Sequence, residues 1–259
     1  MSYYTWIAPA YAVLWFGLML LCMTLGYGIG RRRFAEDPEG AKAGIGAIEG
    51  GILGLLGLLI AFTFSGAQSR LEMRRQEAVE EANDIRTAYL RLDLLPAERQ
   101  PELRDLFRKY LEKRISACQA LPNVKLALHE LEEASKLQEV IWLRAVDACR
   151  MENPLDAGDL LLPAINAMID ITSQRTMAAK THTPVLILIA LFVVGMSSAV
   201  ISGYAIAAST RRKLLHLLAF ATATAITIYV ILNLEYPRIG LIRLDWTDQA
   251  LVELLDKMK

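Results

Sequence analysis

The 259-residue sequence predicts an all-α integral membrane protein: four transmembrane helices, with spans 2 and 3 extended into an extramembrane helical bundle. Three observations predict it. The composition is 54% hydrophobic with a mean hydropathy of +0.32, yet 22% of residues are charged, which fits apolar spans joined to a polar module. Four apolar runs, at residues 7–29, 44–66, 184–208 and 214–234, reach the ~20 residues that a helix needs to cross a hydrocarbon core of about 30 Å. After the second run no proline or turn cluster appears before Pro96, so nothing local stops that helix at the membrane surface. The chain then divides into a hairpin of spans 1 and 2 (1–66), a four-helix arm (67–183), a hairpin of spans 3 and 4 (184–234) and a C-terminal turn with a short amphipathic helix (235–259).

Span 1 reads as a retained span and not as a signal peptide, because residues 1–6 carry no positive charge and no cleavage site precedes the arginines. Tyr3, Tyr4 and Trp6 suit the interface. Arg31, Arg32, Arg33 and Lys42 lie between spans 1 and 2, and Arg211, Arg212 and Lys213 between spans 3 and 4. Positive-inside reasoning puts both short loops in the cytoplasm and places the termini and the arm outside. Arg70, Arg74, Arg75, Arg175 and Lys180 oppose this, but they flank a long loop, which counts for less.

Four segments of the arm show helical periodicity. Ala78, Ala82, Ile85, Tyr89 and Leu92 form the first apolar stripe and Leu103, Leu106, Phe107, Tyr110 and Leu111 the second. Leu137, Val140, Ile141, Ala145 and Ala148 form the third, and Leu161, Ala164, Ile165, Met168 and Ile169 the fourth. Prolines 96, 122 and 154 mark the breaks, and the outer two helices are expected to run on into spans 2 and 3. Asp105 with Lys109, and Glu132 with Lys136, are i,i+4 pairs on solvated faces. Cys118 and Cys149 close successive antiparallel helices, roughly 35–40 Å apart by helix rise, so no disulfide is expected between them. After span 4 comes a turn, a short alternating run at 240–245, and a helix capped by Thr247 or Asp248, with Trp246 suited to an interface.

Glu49 is the sharpest functional candidate, a carboxylate within span 2. Helical steps from it reach Leu53, Leu56, Ile60 and Thr63, a face able to line a conduit with Glu49 near one mouth. The equal alternative is that Glu49 reaches the headgroups or pairs with Lys42 or Arg33. Gly46, Gly50, Gly54 and Gly57 fall on the adjacent face, where small-xxx-small spacing makes a helix-packing surface with an unspecified neighbour. Ser197, Ser198, Ser202, Thr222, Thr224 and Thr227 read as interhelical hydrogen-bonders, and His182 and His216 as lone interfacial histidines.

Catalytic motifs are missing. His129-Glu130-Leu131-Glu132-Glu133 lacks the second histidine of a zinc-protease helix, and the glycine runs at 26–30 and 44–46 have no βαβ unit around them. No enzyme activity, cofactor or metal is expected. The acidic cluster Glu80, Glu81 and Asp84 reads as a solvated face or as ion pairs with a neighbouring helix before it reads as a cation site. Zero net charge and the lack of a basic, aromatic-laced patch give no nucleic-acid partner.

Residues 55–65 (LLGLLIAFTFS), 80–96 (EEANDIRTAYLRLDLLP) and 234–245 (LEYPRIGLIRLD), with the arginines after span 2, resemble the bestrophin-like domain family of bacterial membrane proteins. Where members often carry glycine after the isoleucine of the middle stretch, this chain has Arg86. The resemblance implies a multi-pass protein of the bacterial inner membrane and, by analogy with bestrophins, an oligomeric channel lined by the second span. It would make Leu56, Ile60, Phe62 or Phe64 an apolar constriction. The expected function is therefore an ion channel or channel-like homo-oligomer, with the bilayer and inorganic ions as partners. The competing expectation is a non-conducting sensor or scaffold whose arm, assigned to the periplasm by the charge count, binds a partner.

Overall fold

The computed structural model describes residues 6–39, 45–121, 123–150, 157–207, 214–237 and 245–258, with Leu214 and residues 245–248 described by backbone alone. Tyr3, Tyr4, Lys42, Pro122, Asn153, Pro154, Arg211, Arg212, Lys213 and most of the 240–245 run lie outside the described residues. Among the described residues eight α-helices follow in order: α1 (Ile7–Glu36), α2 (Ile45–Arg91), α3 (Gln100–Ala120), α4 (Val124–Cys149), α5 (Ala157–Lys180), α6 (Val185–Ala207), α7 (Leu214–Glu235) and α8 (Asp245–Lys257). No strand occurs among the described residues, and four helices are long and apolar enough to cross a membrane.

The second long helix is continuous as its sequence predicts, 47 residues from Ile45 to Arg91 with a 3-10 turn after it. The third is not. It breaks between Lys180 and Val185, where Pro184 has no N–H to donate and disfavours helix at the residue before it. Asn123 caps α4, its Oδ1 accepting the Leu126 N–H at 3.3 Å.

The chain forms two compact units, Met1–Arg70 with His182–Ile242, and Leu71–Thr181 with Arg243–Lys259. In the first, α1 packs against α6 and α7 around Trp15, Met19, Met23, Leu191, Ala199, Ala221 and Ala225. Glycine allows the α1–α6 approach. A Cβ on Gly26 would lie 1.9 Å from the Val200 carbonyl oxygen, and one on Gly203 would lie 2.1 Å from the Met23 carbonyl oxygen. Gly30 against Tyr204 and Gly195 against the Trp15 ring continue the same contact. The α2 stripe behaves differently: around Gly46, Gly50, Gly54 and Gly57 nothing lies within 4 Å of the missing Cβ. No described residue of this chain packs closely on that stripe.

The second unit packs the remainder of α2 with α3, α4, α5 and α8. Its core includes Ile85, Leu92, Leu103, Phe107, Tyr110, Ile141, Leu161 and Met168. Residues 235–259, expected to stand as one segment, divide: Leu251 and Leu254 of α8, with Met258 just after it, are buried in this core, adding a fifth helix to the bundle. The solvated pairs form as expected, Lys109 with Asp105 at 2.7 Å and Lys136 with Glu132 at 3.2 Å. All three cysteines are thiols.

Along α2 the buried positions Leu71, Ala78, Glu81, Ile85, Ala88 and Leu92 place a carboxylate in the core seam. Glu81 is fully buried; it accepts from Arg114 Nε at 2.6 Å and from Arg175 Nη1. A second polar layer lies one turn along α3. Gln138 Nε2 donates to Tyr110 Oη at 3.1 Å and to Thr172 Oγ1 at 3.2 Å. Burial pushes the Tyr110 phenol above its ordinary pKa, so it stays a neutral member of that network.

Candidate functional site

Three helices of the first unit line a partly open cavity of about 460 Å³. Glu49, Leu53, Leu56, Gly57 and Ile60 line it from α2, Ser202 and Ile206 from α6, and His216, Leu217, Phe220 and Thr224 from α7. Helical steps of four, three and four bring Glu49, Leu53, Leu56 and Ile60 to one side of α2, as periodicity predicts. Glu49 is half-buried, and its Oε1 accepts a hydrogen bond from Ser202 Oγ at 3.0 Å. The proposed alternative partner Arg33 instead lies 3.9 Å from Glu36.

Other expected lining residues fall elsewhere. Thr63 is buried, but its hydroxyl donates to the Leu59 carbonyl at 2.7 Å and it does not line the cavity. Phe62 and Phe64 point away, with 67% and 40% of their surface exposed, so they form no constriction within the chain. Ser202, His216, Phe220 and Thr224 are the residues that sequence reading did not connect to Glu49. They carry no local signal for it, because Ser202 is 153 positions away and only tertiary packing joins them.

A second polar cluster of the same unit ties α2 to the start of α6 and the end of α7. Arg70 Nη2 donates to Glu235 Oε2 at 2.8 Å and to Thr183 Oγ1, while its Nε reaches the same carboxylate oxygen at 3.2 Å. Glu235 Oε1 accepts the Thr183 N–H at 2.8 Å and lies 3.3 Å from His182 Nδ1. The His182 ring also packs on Tyr236, 4.8 Å between centroids. The backbone donor just ahead of α6, which Pro184 leaves without a helical partner, is thus satisfied by a carboxylate from another helix, favourably placed at a helix N-terminus. Glu235→Gln is expected to lower stability by roughly 2–3 kcal/mol, the range for hydrogen bonds to charged groups. Thermal unfolding of the purified protein tests this. A loss no larger than that from breaking the exposed Arg33–Glu36 pair would deny the cluster a stabilising role.

Residues 16–246, which take in most of the first candidate span and the other three whole, match the family described as Bestrophin-like domain. The protein belongs to the bestrophin-like domain family. Neither a curated protein nor a solved structure matches it. In this bestrophin-like protein each stretch that carries the resemblance holds one of the structural features above. Residues 55–65 supply Leu56, Gly57 and Ile60 to the cavity, 80–96 supply the buried Glu81, and 234–245 supply Glu235.

Proposed function

We propose that this bestrophin-like membrane protein is an ion channel or channel-like protein that acts as a homo-oligomer, with the Glu49 cavity as part of the ion path. The observation that carries this reading is the carboxylate inside an apolar span, facing a cavity and held by a hydroxyl from a neighbouring helix. Membership of the family supports it at the level of a channel-like membrane protein. A single carboxylate among mostly apolar walls favours cations over anions. The open glycine side of α2 supports the homo-oligomer, since a second copy is a natural occupant of a small-residue face in lipid.

In proteoliposomes, Glu49→Gln is expected to reduce cation flux by roughly tenfold and to weaken cation-over-anion selectivity, the loss of one favourable charge interaction of about 1.4 kcal/mol. Flux unchanged in both rate and selectivity would remove Glu49 from the path. Flux absent from the unaltered protein would favour the non-conducting sensor or scaffold.

The same reading places the protein in the bacterial inner membrane, with the bundle outside on the strength of the basic residues at 31–33 and 211–213. An impermeant maleimide applied to intact cells is then expected to label Cys118 and Cys149, both half-buried, without opening the inner membrane. Labelling that appears only after the membrane is opened would put the bundle in the cytosol.

A further inference from the structure

We propose that the Glu49 cavity binds a primary alkylammonium group, with the charged head at Glu49 and the apolar body running inward between α2 and α7. The proposal rests on reading this cavity as the functional site, and it does not require conduction. The Glu49 carboxylate, Ser202 and His216 lie toward one end of the cavity, and the other end is mostly apolar. Glu49 stands in the first turns of α2, Ser202 and Ile206 in the last turns of α6, and His216 in the first turn of α7. Leu56, Gly57, Ile60, Phe220 and Thr224 lie deeper along α2 and α7, with Ile60 about 16 Å of helix rise from Glu49. A polar end and a long apolar end describe an amphiphile better than a bare ion.

The chemistry of the head end agrees. The Glu49 carboxylate accepts one hydrogen bond, from Ser202 Oγ, and keeps acceptor capacity for a further donor. A hard metal ion is a poor occupant, because such ions take six or more oxygen ligands, and no group of three metal-ligating side chains occurs among the described residues. An ammonium asks for less. Its N–H groups can be met by the carboxylate, the Ser202 hydroxyl lone pairs and water. The volume of about 460 Å³ falls within the range of roughly 300–1,000 Å³ typical of small-ligand pockets. The same ammonium chemistry exists in free alkylamines and in the phosphatidylethanolamine headgroup.

Binding of tritiated octylamine to the full chain in phosphatidylcholine nanodiscs at pH 8, corrected for empty discs, tests the site. Unlabelled octanol and octanoate serve as neutral and anionic competitors. Octylamine is expected to bind at least ten times more tightly than either competitor, and Glu49→Gln is expected to abolish that preference. Gly57→Leu, which fills the apolar end without touching the head, is expected to weaken octylamine and octanol alike, and it keeps the test valid if Glu49→Gln folds poorly. Competition in discs that contain phosphatidylethanolamine would assign the site to the lipid headgroup, and its absence would assign it to a free amine. Equal binding of the three probes, or octylamine affinity unchanged in Glu49→Gln and in Gly57→Leu, would overturn the proposal. Because binding is read without flux, altered flux in Glu49→Gln with unaltered binding would sink this inference and leave the ion path standing, and the reverse pattern would sink the ion path alone.

Discussion

Replacing Glu81 with alanine is expected to destabilise the bundle by about 3–5 kcal/mol, the usual result of removing one partner from a buried ion pair. Glu81 has no exposed surface, and the two guanidinium groups it receives, Arg114 and Arg175, come from α3 and α5. Without the carboxylate the Arg114 guanidinium stays in the core without the group it donates to, and its Nη1 already lacks a hydrogen-bond partner there. The size of the effect is not the net worth of the triad. Replacing Glu81, Arg114 and Arg175 together by Leu, Met and Met removes the charges and their desolvation at once, and this variant is expected to match or exceed the unaltered protein in stability. Thermal unfolding followed by the fluorescence of Trp142, which packs against this core, separates the two cases. A single-variant Tm within 2 °C of the unaltered protein, on the order of 0.5 kcal/mol or less, would mean that the charges are not held as a buried unit.

Gly203→Leu is expected to separate α1 from α6 and to lower stability by roughly 3 kcal/mol, at the upper end for overpacking. The reason is that the obstructing atoms are backbone. The first added carbon would sit 2.1 Å from the Met23 carbonyl oxygen and 2.8 Å from its carbonyl carbon, and no rotamer change moves a main chain. Gly26→Leu is expected to act alike, since its Cβ would meet Val200 at 1.9 Å. Gly54→Leu meets nothing within the chain and is expected to leave the fold of one copy intact. Light scattering of the purified variants then tests the proposed homo-oligomer: if α2 carries the contact between copies, Gly54→Leu should give smaller species than the unaltered protein while Tm holds. An unchanged assembly would move the subunit contact away from this face of α2, and a Tm unaffected by Gly203→Leu would contradict the close α1–α6 approach.

These two contrasts show where sequence reading stops. Glycine spacing predicts a packing surface on α2, but the glycines that let helices touch within the chain are 26, 30, 195 and 203. A stripe of small residues reports that a backbone can be approached; it does not report which backbone approaches. The acidic cluster at 80–84 shows the same limit. Local pattern offered solvent or ion pairs for Glu81, and the partners that decided between them lie 33 and 94 positions away.

The sequence by itself determined the helical class, the four spans, the unbroken α2 and the face that carries Glu49, Leu53, Leu56 and Ile60. Those features follow from run length, from the 3.6-residue period and from the absence of proline, all of which are local. Only the tertiary structure decided that this face meets Ser202, His216 and Phe220 across a cavity, that α8 completes the bundle core, and that Glu235 secures the break before α6. Each of those contacts joins side chains far apart in the chain, and a contact of that kind depends on how helices orient and pack, which no local periodicity encodes.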